Sequence, residues 1–413
     1  MIKNLNNKIF LAASFLVTTN YIFFAYRIIF RQNPYIAADW LINYQGGFVR
    51  RGLLGEIFYQ INNILKFEIL YVIYFFNIIV IILFFYLLYK IIKNSLSNDL
   101  FLIYCLLPTT IFFTFFDPLA IGRKDYLITI SYFAYAYYLE NFTNLKKIFL
   151  IFIFFILTLT HELVVFFIPF LFITKYLSLT KRQLSFDNFK FEIICSILMI
   201  ITLVTVMIFK VPHNNGLCNS LLNLNLNKDI CNGVIRDFSN PTTISLGTIK
   251  NNILYFKKYN YFINYFIYFF LSYIPIFLLC LFKNNQKKLL IEFAILQIFS
   301  VVFFLPIILV TSDWGRYINV LLILNIIYLH FLLKNLQIKN IKFSYLKKII
   351  MLPIIVFYLT SWHMPHCCQI NFGKGYNYIL DRIVFRINDE SNETHKFGKD
   401  TPRYLIKRFI NFF

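Results

Sequence analysis

The sequence has little charge for its length, and acidic residues are its scarcest charged type. Only 14% of its 413 residues are charged, with 19 Asp and Glu against 40 Lys and Arg, while 59% are hydrophobic. Soluble globular domains carry charge on about a quarter of their residues. This deficit, together with apolar runs long enough to cross a bilayer, excludes a soluble fold and indicates an integral membrane protein.

Motifs for metal and nucleic-acid binding are also missing. The seven Cys form no Cys-x-x-Cys pair, and His161-Glu162 is not part of a His-Glu-x-x-His motif, so no zinc site is indicated. The net charge of +21 lies mostly in short lysine-rich segments, which set topology and meet anionic membrane lipids. We expect no nucleic-acid partner. The sequence indicates no cofactor, and it leaves open whether the protein uses a divalent metal.

Eleven apolar stretches are candidate transmembrane helices, measured against the roughly 20 residues that cross a bilayer. They lie at about 9–30, 68–89, 98–116, 126–140, 148–160, 163–175, 191–209, 260–282, 289–311, 317–333 and 348–361. The first follows Lys3 and Lys8 without a small-residue cleavage site, which predicts an uncleaved helix with a cytoplasmic N-terminus. The fold class is an all-α polytopic membrane protein with ten or eleven transmembrane helices in one domain, 1–361, and a polar C-terminal tail, 362–413.

The breaks between the apolar stretches are of two kinds, which alternate along the chain. One kind is short and lysine-rich, as at Lys90/Lys93 and Lys146/Lys147, and the other mixes acids, arginine, glycine and tryptophan. The positive-inside rule places the lysine-rich breaks in the cytoplasm. We therefore predict extracytoplasmic loops at about 31–67, 117–125, 211–258 and 312–316, of which 211–258 is long.

The apolar run 148–175 is interrupted only by His161 and Glu162. A single helix over this run would be roughly 40 Å long, and one crossing would place three lysine-rich loops outside. We predict instead a short or re-entrant hairpin with His161-Glu162 at its tip, opening toward the outer face. Irregular backbone at membrane depth is tolerated where it lines a polar cavity.

Arginines in the predicted outer loops are candidates for binding phosphate. Arg50 and Arg51 stand between Gly46-Gly47 and Gly52, and a guanidinium group can hold two phosphate oxygens at once. Contact with lipid headgroups is the alternative for this pair. Arg123 and Arg316 are further candidates, although each has acidic neighbours with which it could simply form ion pairs.

Carboxylates and a histidine in the same loops are candidates for acid–base chemistry. Asp39 in the first outer loop, and His161 and Glu162 at the hairpin tip, are the candidate catalytic residues. For His161-Glu162, a polar contact between helices is the alternative, because a charged group inside an apolar run is costly unless it faces a polar cavity. The candidate supporting carboxylates are Asp117, Asp125 and Asp313.

Two of the cysteines bracket part of the long polar loop. Cys218 and Cys231 lie in the predicted extracytoplasmic segment 211–258, where an oxidising compartment would allow them to bond. We take this pair as a candidate disulfide.

The length, helix count, acidic first outer loop, large outer loop and outer-face arginines resemble two groups of lipid-linked-sugar enzymes. One group is the bacterial O-antigen repeat-unit polymerases, which are also similar in their Phe-, Ile- and Tyr-rich composition. The other is the C-type (GT-C-like) polytopic membrane glycosyltransferases, in which an acidic residue of the first outer loop acts at the acceptor. Asp39 occupies that place here.

The resemblance implies a glycosyltransferase that acts on undecaprenyl-type polyprenyl-(di)phosphate-linked sugars outside the bacterial inner membrane. We expect a repeat-unit polymerase of O-antigen, in lipopolysaccharide, or of capsule, working beside other glycan-assembly membrane proteins. A single-sugar C-type transferase is the first alternative. A transporter or flippase of the same lipid-linked glycan is the second, and it predicts charges within the spans and pseudo-symmetric halves. A structural membrane subunit is the third.

Overall fold

A computed structural model of the chain describes residues 2–179, 185–208, 214–239, 246–258, 260–281, 286–335 and 345–367. Within these ranges the regular structure is helical, without a β-strand. The α-helices are α1 (Ile2–Phe30), α2 (Ala37–Leu41), α3 (Gly52–Leu65), α4 (Ile69–Ile92), α5 (Asp99–Cys105), α6 (Phe113–Phe116), α7 (Asp125–Tyr138), α8 (Asn144–Thr160), α9 (Pro169–Ser178), α10 (Lys190–Ile208), α11 (Asn214–Leu222), α12 (Val234–Ser239), α13 (Leu246–Lys258), α14 (Tyr261–Leu281), α15 (Gln286–Val310), α16 (Trp314–Asn335) and α17 (Tyr345–Thr360). Short 3₁₀ segments occur at Ser95–Ser97, Pro118–Ala120, Leu139–Asn141, Glu162–Phe167, Asp187–Phe189 and Lys228–Cys231.

Six segments of the described chain are helical, long and apolar enough to cross a membrane. They are Leu5–Phe30, Ile69–Ile92, Asp187–Ile208, Tyr261–Leu279, Ile291–Leu309 and Trp314–Asn335. The predicted fold class, an all-α polytopic membrane protein, is confirmed. Of the other predicted stretches, 126–140, 148–160, 163–175 and 348–361 correspond to the shorter helices α7, α8, α9 and α17.

The predicted span at 98–116 is not a continuous helix, which corrects the expectation from its apolar character. Helix α5 ends at Cys105, and α6 begins only at Phe113. The Thr110 hydroxyl lies 3.1 Å from the carbonyl oxygen of Tyr104 and 2.7 Å from that of Cys105. It donates to carbonyl groups that lose their helical partners where α5 stops.

Helix α16 lies at the centre of the bundle. Every residue from Trp314 to Leu333 is buried, and the helix packs against α7 and α9. The Asn319 side chain donates to the backbone carbonyls of Thr109 and Thr110, at 2.9 Å each. These bonds fix α16 against the interrupted segment between α5 and α6.

The chain reverses direction at His161. This residue is extended (φ −156°, ψ 91°) after α8, a 3₁₀ segment follows, and α9 begins at Pro169. The ammonium groups of Lys147 in α8 and Lys175 in α9 both lie over the Phe142 ring, at 5.5 and 5.8 Å from its centroid. The two limbs therefore start and finish at the same end of the bundle, which confirms the short hairpin.

The two kinds of break lie at opposite ends of the bundle. Helices α7 and α16 begin side by side, where Asp125 binds Arg316. The C-terminal parts of the two helices line a cavity whose lining also includes Lys90, Lys93 and Lys334. We call the end where these helices begin the site end (Asp39, Asp125, Glu162 and Arg316). We call the end with the cavity the lysine end (Lys90, Lys93 and Lys334). That the lysine end faces the cytoplasm stays a prediction.

Two of the predicted outer loops pack against each other at the site end. The Val234 amide donates to the Pro34 carbonyl at 3.1 Å, and the Asn43 side chain donates to the Ser220 hydroxyl at 3.1 Å. A disulfide joins Cys218 and Cys231, whose Cα atoms are 5.8 Å apart. Residues 214–239 of the long loop are thus folded and pack against the first outer loop.

The start of the predicted polar tail is buried rather than exposed. Residues 362–366 pack against α14 and α16, where the Gly315 amide donates to the His366 carbonyl and the Tyr265 hydroxyl to the Pro365 carbonyl, both at 3.0 Å. Trp362 and Met364 are buried in the core. The remainder of the predicted tail, 368–413, lies outside the described residues.

Gly315→Ala tests this packing. The added Cβ would lie 1.9 Å from the Pro365 carbonyl oxygen, so the segment must shift. We expect a loss of about 1–3 kcal/mol in stability from overpacking, although alanine favours a helix by about 1 kcal/mol. Thermal unfolding in detergent measures the effect, with Ser312→Ala as the control. An unchanged unfolding temperature for Gly315→Ala would contradict the close packing of residues 362–366 on α16.

Candidate functional site

Charged side chains from four separate parts of the chain meet at the site end. They come from the first outer loop, the segment 117–125, the hairpin tip and the loop before α16, and the buried residues 362–366 add a histidine. The carboxylates are Asp39, Asp117, Asp125, Glu162 and Asp313, the cations are Arg50, Arg51, Arg123, Lys124 and Arg316, and the histidines are His161 and His366. Charges removed from water must pair with one another to be tolerated.

The hairpin tip is bound to the first outer loop by an arginine–carboxylate pair. The Arg51 Nε atom lies 2.8 Å and 3.0 Å from the two carboxylate oxygens of Glu162. Arg50 approaches the same carboxylate at 3.7 Å. Arg51 adopts a left-handed conformation (φ 64°), which is uncommon for a residue with a side chain.

Asp39, in α2, lies beside two cations but lacks a hydrogen bond on one oxygen. Its Oδ1 atom is 3.6 Å from Arg51 and 3.9 Å from the Lys124 ammonium, and within the described chain no donor bonds it. The residue is 4% exposed. Burial alone raises the pKa of Asp39, but Lys124 and Arg51 more than reverse this and hold it below its usual value. Asp39 is therefore an ionised carboxylate with one free acceptor oxygen.

Lys124 is fully buried beneath Asp39. Its ammonium donates to the Arg51 carbonyl at 3.2 Å and lies 5.6 Å from the centroid of the Trp40 ring. Burial lowers the pKa of Lys124 to about 8, against the opposing attraction of Asp39. The group thus carries its charge near neutral pH, and its proton is more easily lost than that of a solvated lysine.

A second set of ion pairs centres on Arg316. Its guanidinium holds Asp125 through two bonds, of 2.8 and 3.0 Å, and Asp313 through a third, of 2.6 Å. Two parallel bonds to one carboxylate form the strong, oriented geometry of this pair. The His161 Nε2 atom lies 3.2 Å from Asp125, while its buried Nδ1 atom has no partner within the described chain.

Asp117 binds the buried segment that follows α17. One carboxylate oxygen accepts the His366 amide at 2.6 Å and lies 2.7 Å from the His366 Nδ1 atom, which donates to it. Burial would raise the pKa of Asp117, and the contacts with His366 lower it instead, to about 2. An imidazole oriented in this way by a carboxylate is a common arrangement in acid–base chemistry.

Arg50 and Arg123 are the more accessible guanidinium groups of the cluster. The Arg50 side chain is 28% exposed, and Arg123 is partly exposed at the edge. Arg123 donates to the carbonyls of Tyr35 (3.0 Å) and Leu119 (3.5 Å), both uncharged acceptors. Since Arg51 and Arg316 are already held by carboxylates, an incoming anion would meet Arg50 and Arg123 first.

The structure brings together every candidate catalytic, phosphate-binding and supporting residue that the sequence indicates. Two members of the cluster were missed, Lys124 and His366. Lys124 stands between two candidate residues in the sequence and could have been found from that position. His366 lies in the predicted tail, and no local pattern connects it to Asp117.

Comparisons of the chain with protein-family models, with curated proteins and with solved structures find no match. In the described part of the chain, no group of three or more His, Cys, Asp or Glu side chains is arranged to hold a metal ion.

The Arg51–Glu162 pair should be strongly coupled. Arg51→Gln leaves the Glu162 carboxylate buried with only the more distant Arg50 contact, at 3.7 Å, within the described chain, and we expect a loss of about 3–5 kcal/mol in stability. Adding Glu162→Gln should recover much of this loss, because it removes the uncompensated charge. Thermal unfolding of the single and double variants measures the coupling, with exposed Lys66→Gln as the control. Additive effects within about 0.5 kcal/mol would contradict the pair.

Asp117 should contribute to acid sensitivity. Its pKa is about 2 in the folded protein and near 4 when solvated, so the stabilisation is present above pH 4 and lost as pH falls toward 2. We expect the stability difference between the native protein and Asp117→Asn to shrink by roughly 2 kcal/mol over that range. Exposed Asp229→Asn is the control. A difference that stays constant with pH would show that Asp117 is not held ionised.

Proposed function

We propose that the protein is a glycosyltransferase that acts on polyprenyl-(di)phosphate-linked sugars at the extracytoplasmic face of a bacterial inner membrane. Its N-terminus lies in the cytoplasm in this proposal, and the site end faces outward. The reaction we favour is polymerisation of O-antigen or capsule repeat units. The observation that carries the proposal is Asp39, a buried, ionised carboxylate with one unbonded oxygen beside Arg51 and Lys124.

The chemistry of such a transfer matches the two kinds of group in the cluster. A sugar hydroxyl attacks the anomeric carbon of the donor, the bond from that carbon to the phosphate oxygen breaks, and polyprenyl (di)phosphate leaves. The hydroxyl must lose a proton, which the free Oδ1 atom of Asp39 can accept. Arg50 and Arg123, at the accessible edge, can stabilise the negative charge on the leaving phosphate.

The inner ion pairs serve to position the reacting groups in this proposal. Glu162 orients Arg51, and Asp125 with Asp313 orients Arg316, so that both guanidinium groups keep a fixed geometry. Prearranged charges stabilise a transition state without a cost of reorganisation during the reaction.

The position of charge along the helices favours an enzyme over a flippase. In the described parts of the six long segments, the charged residues lie near helix ends, as Arg27, Lys90, Glu192, Arg316 and Lys334 do. A transport path for a charged lipid predicts charged groups within the spans.

The size distribution of surface glycan in cells that lack the gene tests the reaction. A polymerase predicts single repeat units without long chains on a gel. Full-length chains with a small shift in mobility would instead indicate a transferase that adds one branch sugar. Complete loss of the glycan, with lipid-linked units accumulating inside, would indicate a flippase, and an unchanged pattern would overturn the proposal.

Complementation of the deletion tests the roles of the residues. Asp39→Asn keeps the shape of the side chain and removes the proton acceptor, so we expect long-chain synthesis to fall at least about 100-fold. Arg123→Gln should also reduce it, while Lys66→Gln at the same end should not. Protein abundance is measured in parallel. Full activity of Asp39→Asn at normal abundance would overturn the assignment of the base.

A further inference from the structure

A cavity of about 450 Å³ opens at the lysine end, far along α7 and α16 from the charged cluster. It lies where α4, α7 and α16 end, and its polar lining includes Lys90, Lys93, Asn94, Ser95, His330 and Lys334. The proposed transfer reaction uses none of these residues.

The described lining of the cavity is positively charged. Among the residues that the structure describes, it includes three lysines and no carboxylate. The C-termini of three helices each contribute roughly half a negative charge. Together they supply about 1.5 negative charges, compared with the three positive charges of the lysines. Lys90 and Lys93 alone, with two full charges, exceed this partial charge, and the excess attracts an anion.

Hydrogen-bonding groups and apolar walls accompany this charge. At the back of the cavity the Ser95 hydroxyl lies 2.8 Å from the His330 Nδ1 atom, and both residues are buried. Ile91, Phe331 and Leu333 form apolar parts of the wall. A ligand that fits such a lining has a compact anionic group joined to an apolar part.

An exposed apolar stripe on α4 leads directly to the cavity. Ile79, Ile82, Leu83 and Tyr86 are 61%, 53%, 39% and 53% exposed, and their spacing of three or four residues places them on one face of the helix. The next turn brings Lys90, whose ammonium lies 5.4 Å from the centroid of the Tyr86 ring. Apolar surface and basic cavity are thus continuous along one helix.

We propose that this cavity binds the phosphate headgroup of an anionic phospholipid, whose acyl chains lie along the α4 stripe. Basic pockets between transmembrane helices are suited to anionic headgroups. Lys90 and Lys93 contact the phosphate, and Asn94 offers a hydrogen bond to the glycerol part. The site is separate from the proposed transfer reaction and stands whether or not that proposal holds.

Native mass spectrometry of the full-length protein in detergent tests this site, with phosphatidylglycerol as the probe. We expect phosphatidylglycerol to bind at least about tenfold more tightly than zwitterionic phosphatidylcholine. Lys90→Gln with Lys93→Gln should weaken binding of phosphatidylglycerol roughly 25-fold, since each lysine near an anionic lipid contributes about a factor of five. Lys90→Arg with Lys93→Arg, which keeps the charge, should bind within about threefold of the native protein.

The matched control is Lys146→Gln with Lys147→Gln, which removes two charges from the same end outside the cavity lining. Its binding should stay within about twofold of that of the native protein. Equal losses in the two glutamine pairs would overturn the proposal in favour of diffuse attraction. Competition by glycerol 3-phosphate at the lipid's own concentration would also overturn it and assign the cavity to a soluble phosphate compound. Equal binding of both lipids would exclude a headgroup site.

Discussion

The pairing of buried charges at the site end is the interaction on which the rest of the structure depends. Removing an ion from water costs several kcal/mol even after the protein relaxes, and only a close opposite charge offsets that cost. Arg316 in the first turn of α16 holds Asp125 in the first turn of α7, so one pair joins two central helices. Arg51 joins the first outer loop to the hairpin tip through Glu162 in the same way. None of these elements can move far without leaving a charge uncompensated.

This constraint divides the cluster into an inner and an outer part. Lys124 and Arg316 are buried, the Arg51 side chain is 17% exposed, and all three already have carboxylate or carbonyl partners. Arg50 and Arg123 lie at the edge and retain access to solvent. A rigid inner frame with an accessible rim suits a site that must recognise an anionic group and keep its own geometry.

Much of the site could be predicted because membrane topology restricts where loops lie. Asp39, Arg123 and Arg316 are far apart in the sequence, yet the alternation of lysine-rich and mixed loops predicts that all three reach one end. The hairpin at His161 was predicted from the same alternation of loops.

The pairing of charges at the site end could not be predicted. Nothing in the sequence shows that Arg51 donates to both Glu162 oxygens while Arg50 beside it stays 3.7 Å from the same carboxylate, because these distances are set by the fold. The break in the stretch 98–116 was missed because apolar composition is the same for one helix and for two with a gap.

The sequence by itself determined the class of the protein, the hairpin and most of the residues at the site end. It could do so because both signals are local: the length of an apolar segment decides whether it can cross a bilayer, and the distribution of lysines sets the orientation of the segments. Only the tertiary structure decided the partners, which are Lys124 beside Asp39 and His366 bound to Asp117. It also decided that the lysines at the opposite end surround a cavity. These features depend on how helices pack, and packing is set by the shapes of many side chains at once rather than by any one segment of the chain.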